Sequence, residues 1–143
     1  MAWYWAYDED MDEAAVRARC PNARKVTTAK LPASRPEFLA YEEGESVMEV
    51  VPDAKAETWG VLYFIPDTEL MNVSQGATRG RRVRFRPVWD PQNCAYNAYL
   101  LEGDADAPVA APPKEKAEKI FGLAVSHEFP EKYVTALAAI KGK

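Results

Sequence analysis

Cysteine and histidine are scarce in this sequence. Cys20 and Cys94 are the only cysteines among 143 residues, they form no CxxC motif, and His127 is the only histidine. Two isolated cysteines exclude a zinc ribbon and a disulfide framework, and one histidine cannot build a histidine metal site. We therefore expect no metal ion and no cofactor. The cysteine usage also favours a reducing, cytoplasmic location.

Long hydrophobic runs and an excess of positive charge are also missing. No apolar run approaches the ~18 residues of a membrane helix, and the first seven residues lack the basic and apolar regions of a signal peptide. The formal net charge is −4, which argues against a general nucleic-acid-binding protein. Hydrophobic residues make up 48% of the chain, enough for one core. We expect a single domain over residues 1–143, with neither a membrane nor a nucleic-acid partner.

The residues that are present predict many short strands and few helices. Alternating or β-branched runs predict strands at residues 2–7, 23–31, 37–41, 46–51, 57–65, 81–89 and 94–101. Helices are predicted at residues 14–19, 66–71, 114–125 and 130–140, because acids or a proline stand at their starts. Gly76 stands near the expected end of the second helix. This order predicts an α+β domain, built on a closed or nearly closed barrel.

Three local features have an ordinary interpretation beside a functional one. The run Asp8, Glu9 and Asp10 is either a solvated helix start or a ligand-binding loop after the first strand. His127 is expected at a surface or helix end, since no partner for it is visible. The arginines that alternate along one predicted strand are expected to form a solvated or partner-facing side rather than a nucleic-acid site. They are Arg82, Arg84 and Arg86.

Several segments, in the same order, resemble the γ-glutamylcyclotransferase-like family. Residues 5–11, Trp-Ala-Tyr-Asp-Glu-Asp-Met, stand where the family has an aromatic residue followed by Ala-Tyr-Gly-Ser-Asn-Leu. Residues 57–63 are similar to its Val-Trp-Gly-Val strand, 76–88 to the segment after its Glu-Gly pair, and 129–133 to its closing helices. The resemblance implies a mixed β-barrel with a few short helices, in which the first strand pairs with the strand of Trp59. Its core would contain Trp3, Trp5, Trp59, Val61 and Tyr63.

The resemblance also implies a chemistry, and this sequence departs from it at two features. In the family, the α-amine of a γ-glutamyl group attacks its own γ-carbonyl, which gives 5-oxoproline and a freed amine. Loop amides hold the glutamyl end, and a glutamate before a glycine moves the proton. Here Gly-Ser-Asn becomes Asp-Glu-Asp, and the glutamate becomes Gln75, whose amide cannot accept the proton. No catalytic residue is assigned; the expected substrate-binding residues are Tyr7, Asp8, Glu9, Asp10, Met11 and Gln75.

These departures predict a γ-glutamylcyclotransferase-like protein that has lost cyclotransferase activity and serves as a binding or accessory protein. Its partner would be a small metabolite or a protein, and the loop acids are expected to repel an acidic ligand. One alternative is an enzyme with a relocated proton-transfer group, Glu69 or a loop acid, acting on a γ-glutamyl-like or amine substrate. Another is an ordinary γ-glutamylcyclotransferase whose glutamate aligns differently. The sequence predicts no oligomeric state.

Overall fold

The computed structural model describes residues 2–40, 46–74, 81–103 and 106–140. Five strands and three α-helices follow one another in the order β1, α1, β2, β3, β4, β5, α2, α3. The strands are β1 (Ala2–Ala6), β2 (Arg24–Ala40), β3 (Ser46–Ile65), β4 (Arg82–Trp89) and β5 (Ala95–Glu102). The helices are α1 (Glu13–Arg17), α2 (Lys114–Ser126) and α3 (Glu131–Ala138). Two 3₁₀ segments, Glu9–Met11 and Asp67–Ser74, complete the described elements.

The strands form a closed barrel in the order β1-β3-β2-β4-β5. Four of the neighbouring strand pairs, β1–β3, β3–β2, β2–β4 and β4–β5, are antiparallel. β1 closes the barrel by pairing in parallel with β5 at Tyr4↔Tyr99. The predicted mixed barrel is therefore confirmed. The predicted pairing of the first strand with the Trp59 strand is confirmed as well, since Trp5 lies opposite Leu62 and Ala6 opposite Val61.

The four short strands predicted between residues 23 and 65 are in fact two long ones. β2 and β3 run through Pro32, Pro36 and Pro52, a residue type that usually interrupts strands, and pair along most of their length. The register shifts between Pro32 and Ser34, where Ala33 has a φ of 55°. An irregularity of this kind absorbs a proline that cannot donate to the ladder. The prolines therefore bend the strands instead of ending them.

The predicted core is largely confirmed. Trp5, Val61 and Tyr63 are fully buried and Trp59 is buried, while Trp3 is half-buried against the core. Gly60 is required here, because a Cβ at this position would lie 2.5 Å from the Ala6 carbonyl oxygen. The same Cβ would lie 2.7 Å from the Trp5 indole, which crosses Gly60 to donate to the Ala29 carbonyl at 3.0 Å. A side chain at position 60 would therefore displace β1.

The predicted helices are also present. α2 and α3 close one part of the barrel and contribute Ile120, Ala124, Tyr133 and Leu137 to the core. The predicted helix from Pro66 is a 3₁₀ segment over Asp67–Ser74, and the glycine expected to end it, Gly76, lies outside the described residues. None of the described helices is long and apolar enough to cross a membrane.

Candidate functional site

The loop that follows β1 is a tight turn organised by Asp8. The Asp8 carboxylate accepts a hydrogen bond from the Asp10 amide at 3.0 Å, and the Asp8 carbonyl accepts one from the Met11 amide at 3.0 Å. Asp8 thus caps the 3₁₀ segment that begins at Glu9. Asp12 then caps α1 in the same way, by accepting from the Ala14 amide. Asp8 and Asp12 therefore act as helix caps, but the side chains of Asp8 and Asp10 are only 14% and 13% exposed, so the run is not the solvated helix start that one interpretation described.

Arg81, just before β4, brings its guanidinium against the hydroxyl of Tyr7. Its Nη2 donates to the Tyr7 hydroxyl oxygen at 2.7 Å and to the Leu101 carbonyl at 2.9 Å. Its Nη1 lies 3.3 Å from Asp8 Oδ2. The side chain of Arg81 is only 5% exposed. The guanidinium therefore fills the space between the loop and the barrel end.

Glu49, on β3, is a second buried carboxylate in the same cluster and was missed from the sequence. Its Oε2 lies 3.2 Å from Arg81 Nε, and its two oxygens accept from the Gly103 amide at 2.8 and 2.9 Å. The Tyr7 hydroxyl, which donates to Leu101, has Glu49 Oε1 at 3.3 Å as an alternative acceptor. One sequence signal was present: Glu49 is the single acid in the apolar run Val47–Val51, and glutamate is rarely buried unless it is paired.

Burial dominates the electrostatics of this cluster, which consists of Tyr7, Asp8, Glu49 and Arg81. Burial raises the pKa of Asp8 to about 6, although Arg81 opposes the shift. Burial also raises the pKa of Tyr7 well above its ordinary value, so its hydroxyl stays neutral. Burial lowers the pKa of Arg81, but Tyr7, Asp8 and Glu49 outweigh it, and the net shift is upward. Arg81 is therefore the permanent cation of the cluster, while Asp8 changes its charge near neutral pH.

A second ion cluster lies on the other side of the same loop. The Asp10 carboxylate accepts hydrogen bonds from both terminal nitrogens of Arg19, at 3.1 and 2.6 Å, and from the Tyr4 hydroxyl at 2.7 Å. The Asp10 carbonyl accepts from the Tyr63 hydroxyl at 2.8 Å. These bonds tie the loop to the turn that follows α1 and to the barrel core.

α2 fixes the outer part of the loop. His127, which caps the C-terminus of α2, has Nε2 2.7 Å from the Met11 carbonyl and Nδ1 2.9 Å from Lys25 Nζ. These partners assign a neutral ring that donates from Nε2 and accepts at Nδ1. Burial and Lys25 lower its pKa, although Met11 opposes this. Glu9 pairs with Lys116 of α2 at 3.6 Å. The helix-end position expected for His127 is confirmed.

The structure brings together five of the six expected substrate-binding residues, Tyr7 to Met11, in this one loop. The sixth, Gln75, lies outside the described residues. Glu69, one candidate for a relocated proton-transfer group, accepts from the amide and side chain of Asn22 at 2.9 and 2.6 Å. Its carboxylate therefore holds the turn before β2.

The expectation that the loop presents repelling negative charge is wrong for two of its three acids. Asp8 faces Arg81 and Asp10 faces Arg19, and both arginines come from outside the loop. Arg19 offsets the charge of Asp10, and Arg81, which also pairs with Glu49, offsets part of the charge of Asp8, which reduces the repulsion that was expected for an acidic ligand.

Two other predicted features lie away from the loop. Arg82, Arg84 and Arg86 are exposed along β4, which agrees with a solvated or partner-facing strand side. Within residues 2–40, 46–74, 81–103 and 106–140, no three His, Cys, Asp or Glu side chains are grouped so that they could hold a metal ion.

The closed five-stranded mixed barrel with short helices is the γ-glutamylcyclotransferase-like fold. A solved structure described as gamma-glutamyl cyclotransferase is similar to this chain, with a TM-score of 0.88 and 18% identity, over 99% of this chain and 89% of that one. An uncharacterized protein from Homo sapiens gives a TM-score of 0.89 and 18% identity over the same shares. YkqA from Bacillus subtilis gives a TM-score of 0.76 and 23% identity, over 99% of this chain and 56% of the YkqA chain.

No protein-family model matches the sequence, and no curated protein matches it either. The resemblance inferred from the sequence is thus confirmed as a likeness of fold.

Proposed function

We propose that this protein has lost γ-glutamylcyclotransferase activity and acts as a binding or accessory protein on the retained barrel. Its partner is a small metabolite or another protein.

The observation that carries this proposal is the position of the Asp8 carboxylate. In the family that the sequence resembles, the amides of this loop hold the glutamyl end of the substrate. Here the Asp8 carboxylate accepts from the Asp10 amide, and the Met11 amide is bonded to the Asp8 carbonyl. A substrate carboxylate would have to displace bonds that the loop makes to itself, and a buried group left unbonded costs roughly 1–3 kcal/mol.

Arg81 supports the same conclusion from the opposite side of the site. Its guanidinium bonds the Tyr7 hydroxyl and lies within ion-pair distance of Asp8 and Glu49, so these polar groups already have partners. A ligand that entered beside Tyr7 would need to move a side chain with five nitrogen-bound protons, most of them bonded. Moving Arg81 would leave the carboxylates of Asp8 and Glu49 without the cation that both of them face.

The proposal is tested by measuring 5-oxoproline released from γ-glutamyl dipeptides. We expect none from the unmodified protein, and none from Gln75→Glu, because the loop remains blocked. Asp8→Gly, Glu9→Ser and Asp10→Asn combined with Gln75→Glu restore both missing features together. Turnover in that combined variant alone would support the proposal, whereas robust turnover by the unmodified protein would refute it.

The alternative function, an enzyme with a relocated proton-transfer group, is favoured by one observation at Asp8. Its pKa of about 6 lies near the pH at which a general base works best, and its Oδ2 lies 3.3 Å from Arg81 Nη1. Glu69 is the weaker candidate for this role, because both of its oxygens are bonded to Asn22.

Two matched variants distinguish these candidates if a panel of γ-glutamyl and amine substrates reveals any turnover. Asp8→Asn keeps the acceptor for the Asp10 amide but removes the base, so it would reduce the rate by about 10²–10⁴-fold. Glu69→Gln would leave the rate unchanged. The reverse pattern would assign the proton transfer to Glu69.

A further inference from the structure

β4 is paired along one edge only. It lies opposite β5 at eight consecutive positions, from Arg82↔Glu102 to Trp89↔Ala95, but it meets β2 at the single pair Lys30↔Trp89 among the described residues. β2 changes register just beyond this point, between Pro32 and Ser34. The second edge of β4 from Arg82 to Val88 therefore has no strand beside it in the part of the chain that the structure describes.

The hydrogen bonds between β4 and β5 identify which backbone groups of β4 point towards this second edge. The Asp90 amide donates to the Cys94 carbonyl at 2.9 Å, so residue 90 directs its backbone groups towards β5. Backbone direction alternates along a strand, so Arg84 and Arg86 also point towards β5, whereas Val83 and Phe85 point outwards. The backbone of Pro87 also points outwards, so its missing N–H removes no hydrogen bond from the β4–β5 ladder. Among the described residues, no strand pairs with the outward N–H and C=O groups of Val83 and Phe85.

The two faces of this edge differ in chemistry. Val83 is 39% and Phe85 57% exposed, and the Phe85 ring packs 4.9 Å from the ring of Tyr99 on the same face. The opposite face has three exposed arginines. Of these, Arg86 pairs with Glu102 at 3.0 Å, whereas Arg82 and Arg84 have no ion-pair partner among the described residues.

We propose that the outer edge of β4 binds an extended, acidic segment of a partner protein, which adds to the barrel as a further strand. Val83 and Phe85 supply the main-chain bonds, and alternate side chains of the segment meet an apolar face and a basic face. A carboxylate opposite Arg84 forms a favourable cross-strand pair. The proposal does not depend on the loss of cyclotransferase activity.

A second copy of this chain is a poor occupant of the same edge. Antiparallel pairing of two β4 strands through their outward residues would set Arg84 of one copy opposite an arginine of the other. Like charges directly opposite one another are destabilising in a sheet. The charge pattern therefore selects an acidic strand, not a copy of β4.

The test uses a capped peptide of alternating Glu and Val, about seven residues long to match the free edge. Binding to the full chain is measured by calorimetry and by amide chemical shifts. We expect saturable binding with shifts centred on β4, and no binding of a Lys-Val peptide. Val83→Pro removes one outward N–H and should weaken binding about tenfold, whereas the matched Val83→Thr should not.

Arg84→Glu provides a second variant that does not alter the backbone, in case Val83→Pro fails to fold. This substitution should also weaken binding of the Glu-Val peptide about tenfold and permit binding of the Lys-Val peptide. Absence of peptide binding, or equal binding by Val83→Pro and Val83→Thr, would overturn the proposal. Dimerisation that Arg84→Glu alters, or RNA binding that depends on these arginines, would assign the surface to a different occupant and overturn it as well.

Discussion

Asp8 and Asp10 lie two residues apart in one loop, and each meets an arginine, yet the two clusters are built differently. Arg19 is 24% exposed and binds the Asp10 carboxylate through two parallel bonds, and the Tyr4 hydroxyl donates to the same carboxylate. Arg81 is buried and shared among Asp8, Glu49, Tyr7 and two carbonyl oxygens. The Arg19 pair anchors the loop to the turn that follows α1, whereas the Arg81 cluster is a hub whose members depend on one cation.

The largest difference between the clusters is expected when each arginine is removed. Arg81→Met would leave two buried carboxylates without this partner and cost about 4 kcal/mol of unfolding free energy. Arg19→Met would cost less, about 1–2 kcal/mol, because the buried Asp10 carboxylate keeps the hydrogen bond from the Tyr4 hydroxyl. Urea denaturation at pH 7 measures both values. Equal losses would show that the two clusters do not differ in this way.

The next effect concerns the pH dependence that Asp8 gives to the Arg81 cluster. Because its folded pKa of about 6 exceeds its ordinary value of 3.8, the folded state keeps a proton that the unfolded chain has released between these pH values. The free energy of unfolding should therefore fall as pH rises from 4 to 6, by about 3 kcal/mol in total from this group. Asp8→Asn retains the cap oxygen and should remove that slope. Denaturation of both proteins at pH 4, 5, 6 and 7 measures it, and a slope that persists in the variant would contradict the role of Asp8.

A smaller effect separates the coupling energies of the two clusters. A double-mutant cycle of Arg81→Met with Glu49→Gln should give a coupling of about 2 kcal/mol. The corresponding cycle of Arg19→Met with Asp10→Asn should give about 1 kcal/mol. Both cycles use the same denaturation measurement. A larger coupling energy for Arg19 with Asp10 than for Arg81 with Glu49 would show that Arg81 is not the hub.

The smallest effect is expected at the third acid of the loop. Glu9 pairs with Lys116 at 3.6 Å, and both side chains are partly exposed. Glu9→Gln should change the unfolding free energy by less than about 0.5 kcal/mol. The variant therefore serves as the baseline for the other loop substitutions, and a cost above about 1 kcal/mol would show that α2 holds the loop more firmly than its contacts indicate.

The barrel could be predicted from the sequence because its signals are local and repeated. The aromatic first strand, the Trp59-Gly60 strand and the Asp90 turn each predict their structure from adjacent residues. The length of β2 could not be predicted, since proline is a strand breaker by default and the irregularity at Ala33 depends on β3.

The site was predictable only in part, for a different reason. The loop from Tyr7 to Met11 is continuous in sequence, but the arginine that meets Asp8 is 73 residues away, and Glu49 comes from a third strand. Nothing in the sequence near Arg81 distinguishes it from the exposed arginines that follow it along β4. Only the closed barrel brings these charges together.

The parallel contact between β1 and β5 has a consequence for how the chain reaches this structure. Tyr4 pairs with Tyr99, so β1 must wait for β5, which is made later, before the barrel can close. Closing so long a loop costs entropy before the contact repays it, and folds dominated by such contacts form in milliseconds to seconds. Until β5 leaves the ribosome, the edge of β1 that pairs with β5 stays open. The nascent chain is therefore most exposed to aggregation late in its synthesis.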